Sequence, residues 1–219
     1  MPIRRILLAA SLLLGLPFVA PADAAILIEA HKQGEAVRMV VDNQTGRALI
    51  TTARGRALVD LVRNEVYLQN GSGPARKVRL DRAVRQTPDP LYRVSPWGPG
   101  PRIGGHATVY HVITYGDEIC AEMLVSGWMK EFVQPVVRAI DLLEGLQTPR
   151  RGEGCGRIPF GIYAAAGWPI MAGKIDHLTF ETSTIRFDYQ PRERELVLPV
   201  SYEEVGPDRV IREAMAPLP

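Results

Sequence analysis

Short apolar runs separated by tight turns fill residues 25–69, and this rhythm constrains the fold more than any other feature of the chain. The runs cover residues 26–28, 37–41, 48–52, 57–62 and 66–68. Asparagine or glycine stands in the turns between them, and a spacing of roughly ten residues predicts five antiparallel strands in a meander. Such a meander curls into a barrel or half-barrel. Residues 57–62 are apolar on both faces, so we expect another segment to cover the second face of this strand.

The N-terminus has the layout of a secretory signal peptide. Arg4 and Arg5 form a basic head, an apolar run covers residues 6–19, and the small residues Ala22 and Ala24 precede the expected cleavage point. A retained membrane anchor is the alternative, but the run is short for about 30 Å of hydrocarbon and contains a proline. We therefore expect residues 1–24 to be removed near Ala24, which leaves a soluble periplasmic protein, with simple secretion as the other destination.

Composition excludes several classes of protein. Hydrophobic residues make up 46% of the 219 residues, and the 26 Lys and Arg residues are nearly balanced by 24 Asp and Glu residues. Such a chain is too apolar for a disordered protein and too evenly charged for a dedicated nucleic-acid binder. Its length fits one domain over residues 25–219, and apolar stretches after the signal are too short to span a membrane.

The two cysteines, Cys120 and Cys155, favour a single disulfide. Export places them in an oxidising compartment, and their number leaves no spare thiol. A redox or nucleophilic thiol is the competing reading, but the CxxC spacing is absent, and two cysteines without a histidine cluster do not make a zinc site.

Residues 128–146 give the most convincing helical pattern. The apolar positions recur every three or four residues, so we expect one face, including Trp128, Met129, Phe132, Val133, Val136 and Ile140, to be buried against the sheet. Pro135 predicts a kink or a helix that begins there. Residues 87–101 contain five prolines and are predicted to form a surface loop, and further strands are expected around residues 107–115, 120–125 and 178–189.

No catalytic or metal site can be assembled from the pattern. His106 and His111 are the closest approach to a ligand pair, but five residues of regular strand place them on opposite faces. Ser126-Gly127 lacks the preceding glycine of a nucleophile elbow. The expectation is a protein without a cofactor and without catalysis.

Several segments resemble a known family. Arg38-Met39-Val40-Val41-Asp42, residues 57–61 and 66–68, and Gly167-Trp168-Pro169-Ile170 are similar to elements of the periplasmic lipoprotein-carrier (LolA/LolB-like) superfamily and of a related exported bacterial domain family of unknown function. The resemblance implies an α+β fold, a curved antiparallel half-barrel sheet with a helix packed in its concave face, over residues 25–219. In the carriers that concave face holds acyl chains.

A hollow between sheet and helix would offer a ligand site. Trp97, Trp128, Phe132 and Trp168 are the large rings expected to border it, and Arg76, Lys77 and Arg79 could meet an anionic headgroup at its rim. The sequence thus predicts binding or carriage of a lipid or acyl ligand. The alternative is a structural or protein-interaction module of the cell envelope, in which the rings fill the core and the basic residues form a solvated face.

Overall fold

A computed structural model describes residues 25–71, 73–80, 90–146, 154–156, 158–174 and 177–207. The predicted signal peptide, residues 1–24, lies outside these ranges. The twelve strands are β1 (Ala25–Lys32), β2 (Glu35–Asp42), β3 (Arg47–Thr52), β4 (Gly55–Asp60), β5 (Glu65–Gln69), β6 (Ala75–Arg79), β7 (Tyr92–Pro99), β8 (Val109–Tyr115), β9 (Glu118–Ser126), β10 (Trp168–Lys174), β11 (His177–Tyr189) and β12 (Tyr202–Glu204). The helices are α1 (Gln134–Leu146) and α2 (Phe160–Tyr163), with 3-10 turns at Gly127–Met129 and Gly154–Gly156.

All twelve strands belong to one sheet with the order β12-β6-β5-β4-β3-β2-β1-β11-β10-β9-β8-β7. Two meanders, β1 to β6 and β7 to β11, meet where β1 pairs with β11 in the antiparallel sense. Neighbouring strands are antiparallel except β12, which pairs with β6 in parallel. The five strands predicted for residues 25–69 are present as β1 to β5.

The expected half-barrel with a helix in its concave face is wrong. The sheet is open and mixed, strand accounts for 52% of the structure against 15% helix, and the two helices are short. The second meander and the parallel β12 extend the sheet far beyond the five-strand unit seen in the sequence, so the fold is sheet-dominated.

One face of the sheet, which we call the core face, carries the main hydrophobic core. Ile26, Val41, Ala48, Val59, Val66 and Val78 stand beside one another across six strands in register and are all buried. Helix α1 packs on this face against β2 and β3 and contributes Val136, Ala139 and Leu143 to the same core. Pro135 occupies the first turn, where its missing N–H costs no hydrogen bond, so the helix begins there as one of the two predicted alternatives.

The opposite face of β1 to β5 is buried as well. Leu27, Val40, Leu49, Leu58 and Tyr67 form a second row in register, and Leu196 and Leu198 pack on this row. Leu196 and Leu198 belong to residues 190–201, which we call the strap. The strap leaves β11 in the middle of the sheet and reaches β12 at its edge, so it crosses the face that the sequence left without a partner.

Polar contacts fasten the strap to the sheet. Arg38 donates hydrogen bonds to Glu195 and, over 2.7 Å, to the hydroxyl of Tyr189, which in turn donates to Glu195 over 2.8 Å. Burial alone would raise the pKa of Glu195, but hydrogen bonds from the Arg192 N–H, Arg38 and Tyr189 outweigh it and hold that pKa below its usual range. The Arg47 guanidinium also donates to the Leu196 carbonyl over 3.2 Å.

Two sequence-based expectations need correction. Residues 92–99 form β7 instead of a loop, and Pro96 and Pro99 are tolerated because β7 is the last strand of the sheet and its outer edge needs no ladder hydrogen bonds. Trp128 and Phe132 are half exposed, whereas Met129, Val133 and Val136 are buried as expected. The regular helix begins only at Gln134, so residues 127–133 are 3-10 and turn structure and do not present the single buried face expected of a continuous helix.

The disulfide prediction is confirmed. Cys120 on β9 is bonded to Cys155, with their Cα atoms 4.7 Å apart and a sequence separation of 35. The Tyr92 hydroxyl donates to the Gly154 carbonyl over 2.9 Å, so strand β7 holds the same turn.

We expect the Glu195→Gln variant to lose about 1.5–3 kcal/mol of unfolding free energy at neutral pH, because hydrogen bonds to a buried carboxylate are replaced by weaker neutral ones. Folding lowers the pKa of Glu195 from 4.5, so its contribution is fully present above that value and is lost as the pH falls through the folded value. Urea unfolding of both proteins from about pH 7 to pH 3 measures this. A difference that does not shrink below about pH 4.5 would contradict the ion-pair account.

We expect the double variant Cys120→Ser/Cys155→Ser to be less stable than the wild type by about 3–4 kcal/mol, since the open chain gains the entropy of a loop of this length. Equilibrium unfolding in urea gives the difference, and thiol titration of the unreduced wild type should find no free thiol. A difference below about 1 kcal/mol would show that the bridge adds little to this fold.

Candidate functional site

A cavity lies between the core face of the sheet and the two helices. Its apolar wall consists of Val37, Met39, Ile50, Ala57, Ile140, Leu143, Phe160 and Phe180. Strands β2, β3, β4 and β11 supply one side and helices α1 and α2 the other. Ala57 on β4 is the smallest side chain of this apolar wall.

Polar groups stand beside this apolar wall at one end of the sheet. Lys32, Thr52, Arg56 and Glu144 border the cavity, close to the turns that join β1 to β2 and β3 to β4. Both oxygens of Glu144 accept the Phe160 N–H, at 3.0 and 3.3 Å, which ties α2 to α1. The Nε of Arg56 donates to Gln69 over 2.7 Å. These contacts fix the rim while the wall stays apolar.

The size and lining of the cavity limit what it can hold. Its volume is about 70 Å³, whereas sites for drug-sized molecules usually enclose about 300–1,000 Å³. An apolar hollow of this size accepts one end of an apolar molecule and offers few partners for bound water. The rim places two cationic side chains and one carboxylate where a polar group of such a molecule would remain.

None of the ring or basic residues predicted for a ligand site borders this cavity. Trp168 comes nearest, because it is fully buried and its ring lies 5.5 Å from that of Phe160 and 6.0 Å from that of Phe180, centroid to centroid. Its Nε1 donates to the Thr182 hydroxyl over 2.9 Å. Trp168 therefore supports two rings of the cavity wall from behind.

Trp128 and Phe132 belong to a different surface. Their rings contact each other, and both contact Phe187 on β11 at centroid distances of 5.4 Å. The imidazole of His106 stacks on Trp128 at 5.7 Å. We call His106, Trp128, Phe132 and Phe187 the aromatic patch. Trp97 lies apart from these contacts on β7, exposed and packed against Tyr110.

The three basic residues of β6 do not all lie on one face of the strand. Lys77 bonds to buried Glu65 over 2.9 Å, and its ammonium group lies 5.3 Å from the centroid of the Tyr202 ring. Burial would raise the pKa of Glu65, but hydrogen bonds from Lys77 and Tyr67 hold it below its usual range. Burial and the bond to Glu65 raise the pKa of Tyr67 to about 12. Arg79 is exposed. Because successive side chains of a strand point to opposite faces, Arg76 lies on the face opposite to Lys77 and Arg79. Their contact with a ligand stays a prediction.

Two of the histidines with described side chains have structural neighbours. His111 on β8 has its Nδ1 3.1 Å from the Val109 carbonyl, and His106 stacks in the aromatic patch. Across the described ranges, no three His, Cys, Asp or Glu side chains gather in a group that could hold a metal ion. In the same ranges, no helix is both long and apolar enough to cross a bilayer.

The sequence reasoning missed the cavity residues. Val37, Met39, Ile50 and Ala57 lie on the predicted strands, and their alternation with polar or second-face residues was the available signal for one shared face. Phe160 and Phe180 carry no comparable signal, because their approach depends on the pairing of β10 with β11.

Comparisons with known proteins identify no family. No protein-family model matches the chain, and no curated protein matches it. Two solved structures, PNGF-II in a C2 and in a P21 crystal form, superpose with TM-scores of 0.44 and 0.43 at 9% identity. They cover 87% and 83% of this chain, but this chain spans only 32% and 31% of theirs. So distant a likeness establishes neither fold, family nor activity.

We expect the Trp168→Phe variant to lose about 2 kcal/mol of unfolding free energy, because it removes a buried hydrogen bond and leaves a void behind Phe160 and Phe180. Trp97→Phe is the matched control, and its exposed site should change stability by less than about 0.5 kcal/mol. Urea unfolding of both variants gives the comparison. Equal losses would mean that Trp168 does not have the supporting role assigned to it.

Proposed function

We propose that this protein is an exported, soluble periplasmic protein that reversibly binds an apolar ligand, such as a lipid or acyl chain, without catalysis. The observation that carries the proposal is the cavity between the core face and the helices, with its eight apolar lining residues. Burial of an apolar group there would contribute roughly 25 cal/mol for each Å² removed from water.

The rim of the cavity supports a ligand with one polar end. Lys32 and Arg56 are cationic and border the same opening as Glu144. A chain end inserted among Phe160, Phe180 and Ile50 would leave its polar group beside these charges. An anionic headgroup would be favoured there by the two cations and opposed by the one carboxylate.

The small volume favours a second candidate, a structural or protein-interaction module of the envelope with a filled core. A cavity of about 70 Å³ must widen before it can take more than a chain end. Helix α2 has only four residues and is fastened to α1 through Glu144, so separation of these two helices is the most direct way to widen it. If the cavity stays closed, its wall is part of the core.

Titration with the fluorescent fatty acid 11-(dansylamino)undecanoic acid separates the two candidates. We expect saturable binding by the wild type at micromolar concentration, and a reduction of at least about tenfold in affinity for Ala57→Leu, whose added atoms fill the cavity. Ala36→Leu is the matched control. It makes the same change on the exposed side of β2, beside Val37 of the wall, and should bind within about twofold of the wild type.

Absence of saturable binding by a folded wild type would overturn the ligand proposal. If Ala57→Leu then also proved more stable than the wild type, as cavity filling commonly does by about 0.5–2 kcal/mol, the filled-core candidate would be supported. Binding that is unchanged in Ala57→Leu would place the ligand outside this cavity.

A further inference from the structure

One end of the sheet exposes large apolar side chains. Trp128 is 50% and Phe132 48% exposed, and both rest on Phe187. Val62, in the turn between β4 and β5, is 75% exposed. Large exposed apolar groups gathered on one part of a surface usually mark a contact with a partner or a membrane.

The register shows that these residues share one end of the molecule. Ala25 at the start of β1 pairs with Tyr189 at the end of β11, two residues after Phe187. The neighbouring pair Ile26 and Val41 places the turn between β2 and β3 at the same end, and β3 and β4 then bring the turn that contains Val62 there. Arg138 of α1 donates to Asn64 in that turn over 3.0 Å, which joins the helix and its preceding aromatic residues to this end.

Charge at this end complements an anionic surface. The exposed basic side chains described here include Arg63, Arg102, Lys130, Arg138 and Arg186, and the exposed acidic ones include Glu131, Asp188 and Glu193. Asp42 and Asp60 add two carboxylates that accept N–H groups of their own turns, and Asp60 lies 4.0 Å from the Arg63 guanidinium, so the basic surplus rests mainly on the other cations. Tryptophan and phenylalanine flanked by lysine and arginine are the composition of segments that lie in the interface of an anionic bilayer.

The direction of the chain adds an independent reason. Residue 25 enters the fold at this end, and the apolar run of residues 6–19 with its basic head precedes it directly. If the predicted signal segment is inserted in the membrane, this is the end of the fold next to it. A second copy of the chain would not account for the surplus of positive charge.

We propose that the aromatic patch, with Val62 and the surrounding basic side chains, docks this end of the protein onto an anionic phospholipid surface. Trp128 and Phe132 lie in the interface of the bilayer, and Lys130, Arg138 and Arg63 meet lipid phosphates. The cavity rim lies toward the opposite end, near the turn after Lys32, so docking is independent of occupation of the cavity.

Flotation of residues 25–219 with vesicles of phosphatidylethanolamine and phosphatidylglycerol in a ratio of about 3:1 tests this at low salt. We expect the protein to float with these vesicles, to float at least about fivefold less with pure phosphatidylcholine, and to be released by about 0.5 M salt. Trp128→Ser/Phe132→Ser and, separately, Lys130→Glu should each reduce binding at least about fivefold.

Ile119→Ser is the matched control, because Ile119 is 45% exposed at the far end of β9 and its removal should leave flotation unchanged. In a Trp97→Phe background, brominated lipid should quench Trp128, while buried Trp168 stays shielded. Equal binding by wild type and patch variants, equal binding to neutral vesicles, or patch variants that change only the oligomeric state in sedimentation would each overturn the proposal. Circular dichroism and thermal unfolding establish that each variant compared is folded.

Discussion

Burial of the first five strands on both of their faces is the constraint on which the rest of the structure depends. A single antiparallel meander ordinarily has one solvated face, but β1 to β5 carry apolar rows on each side. Both rows need a cover. Helix α1 packs on the core face, and the strap covers the other.

Only two of the strap's four aliphatic side chains pack on the sheet, because Val197 and Val200 are exposed, so polar contacts also hold the strap in place. Leu196 and Leu198 supply the apolar cover, while Arg38, Tyr189 and Glu195 form a closed set of hydrogen bonds around one carboxylate. Because a partly buried charge left without its partners costs several kcal/mol, this set tolerates only one position of the strap. The strap leads into β12 at the edge of the sheet, where the ring of Tyr202 contacts the Tyr67 ring and the Lys77 ammonium group.

Local pattern predicts those parts of the fold that local chemistry decides. The turns at Gly34, Gly46 and Gly55 delimit the first strands, and each of these glycines has a positive φ. The disulfide between Cys120 and Cys155 was predicted from the expected oxidising compartment and from the presence of only two cysteines. The pairing of β1 with β11 could not be predicted in this way, because it joins residues 148 to 164 positions apart and no local pattern identifies the partner strand. Without that pairing, neither the open twelve-stranded sheet nor the strap can be foreseen.

The candidate site was harder to predict than the fold for a related reason. A cavity is the space left after packing, so it depends on shifts smaller than a side chain, and its wall combines β2, β3, β4, β11, α1 and α2. The sequence-based hypothesis placed tryptophans at the ligand site because their rings are large. Trp168, the most buried of them, instead lies behind the cavity wall, and Trp128 is half exposed.

Helix α1 connects the aromatic patch with the cavity. Its first turn follows the aromatic patch, and Ile140, Leu143 and Glu144 in its later turns face the cavity. The 13-residue helix is about 20 Å long, so the patch and the rim are well separated on a rigid element. A protein docked through Trp128 and Phe132 would therefore hold its cavity away from the bilayer. The rim would then be open to the aqueous phase, and exchange of an apolar ligand would take place with a soluble donor or acceptor instead of directly with the docked membrane.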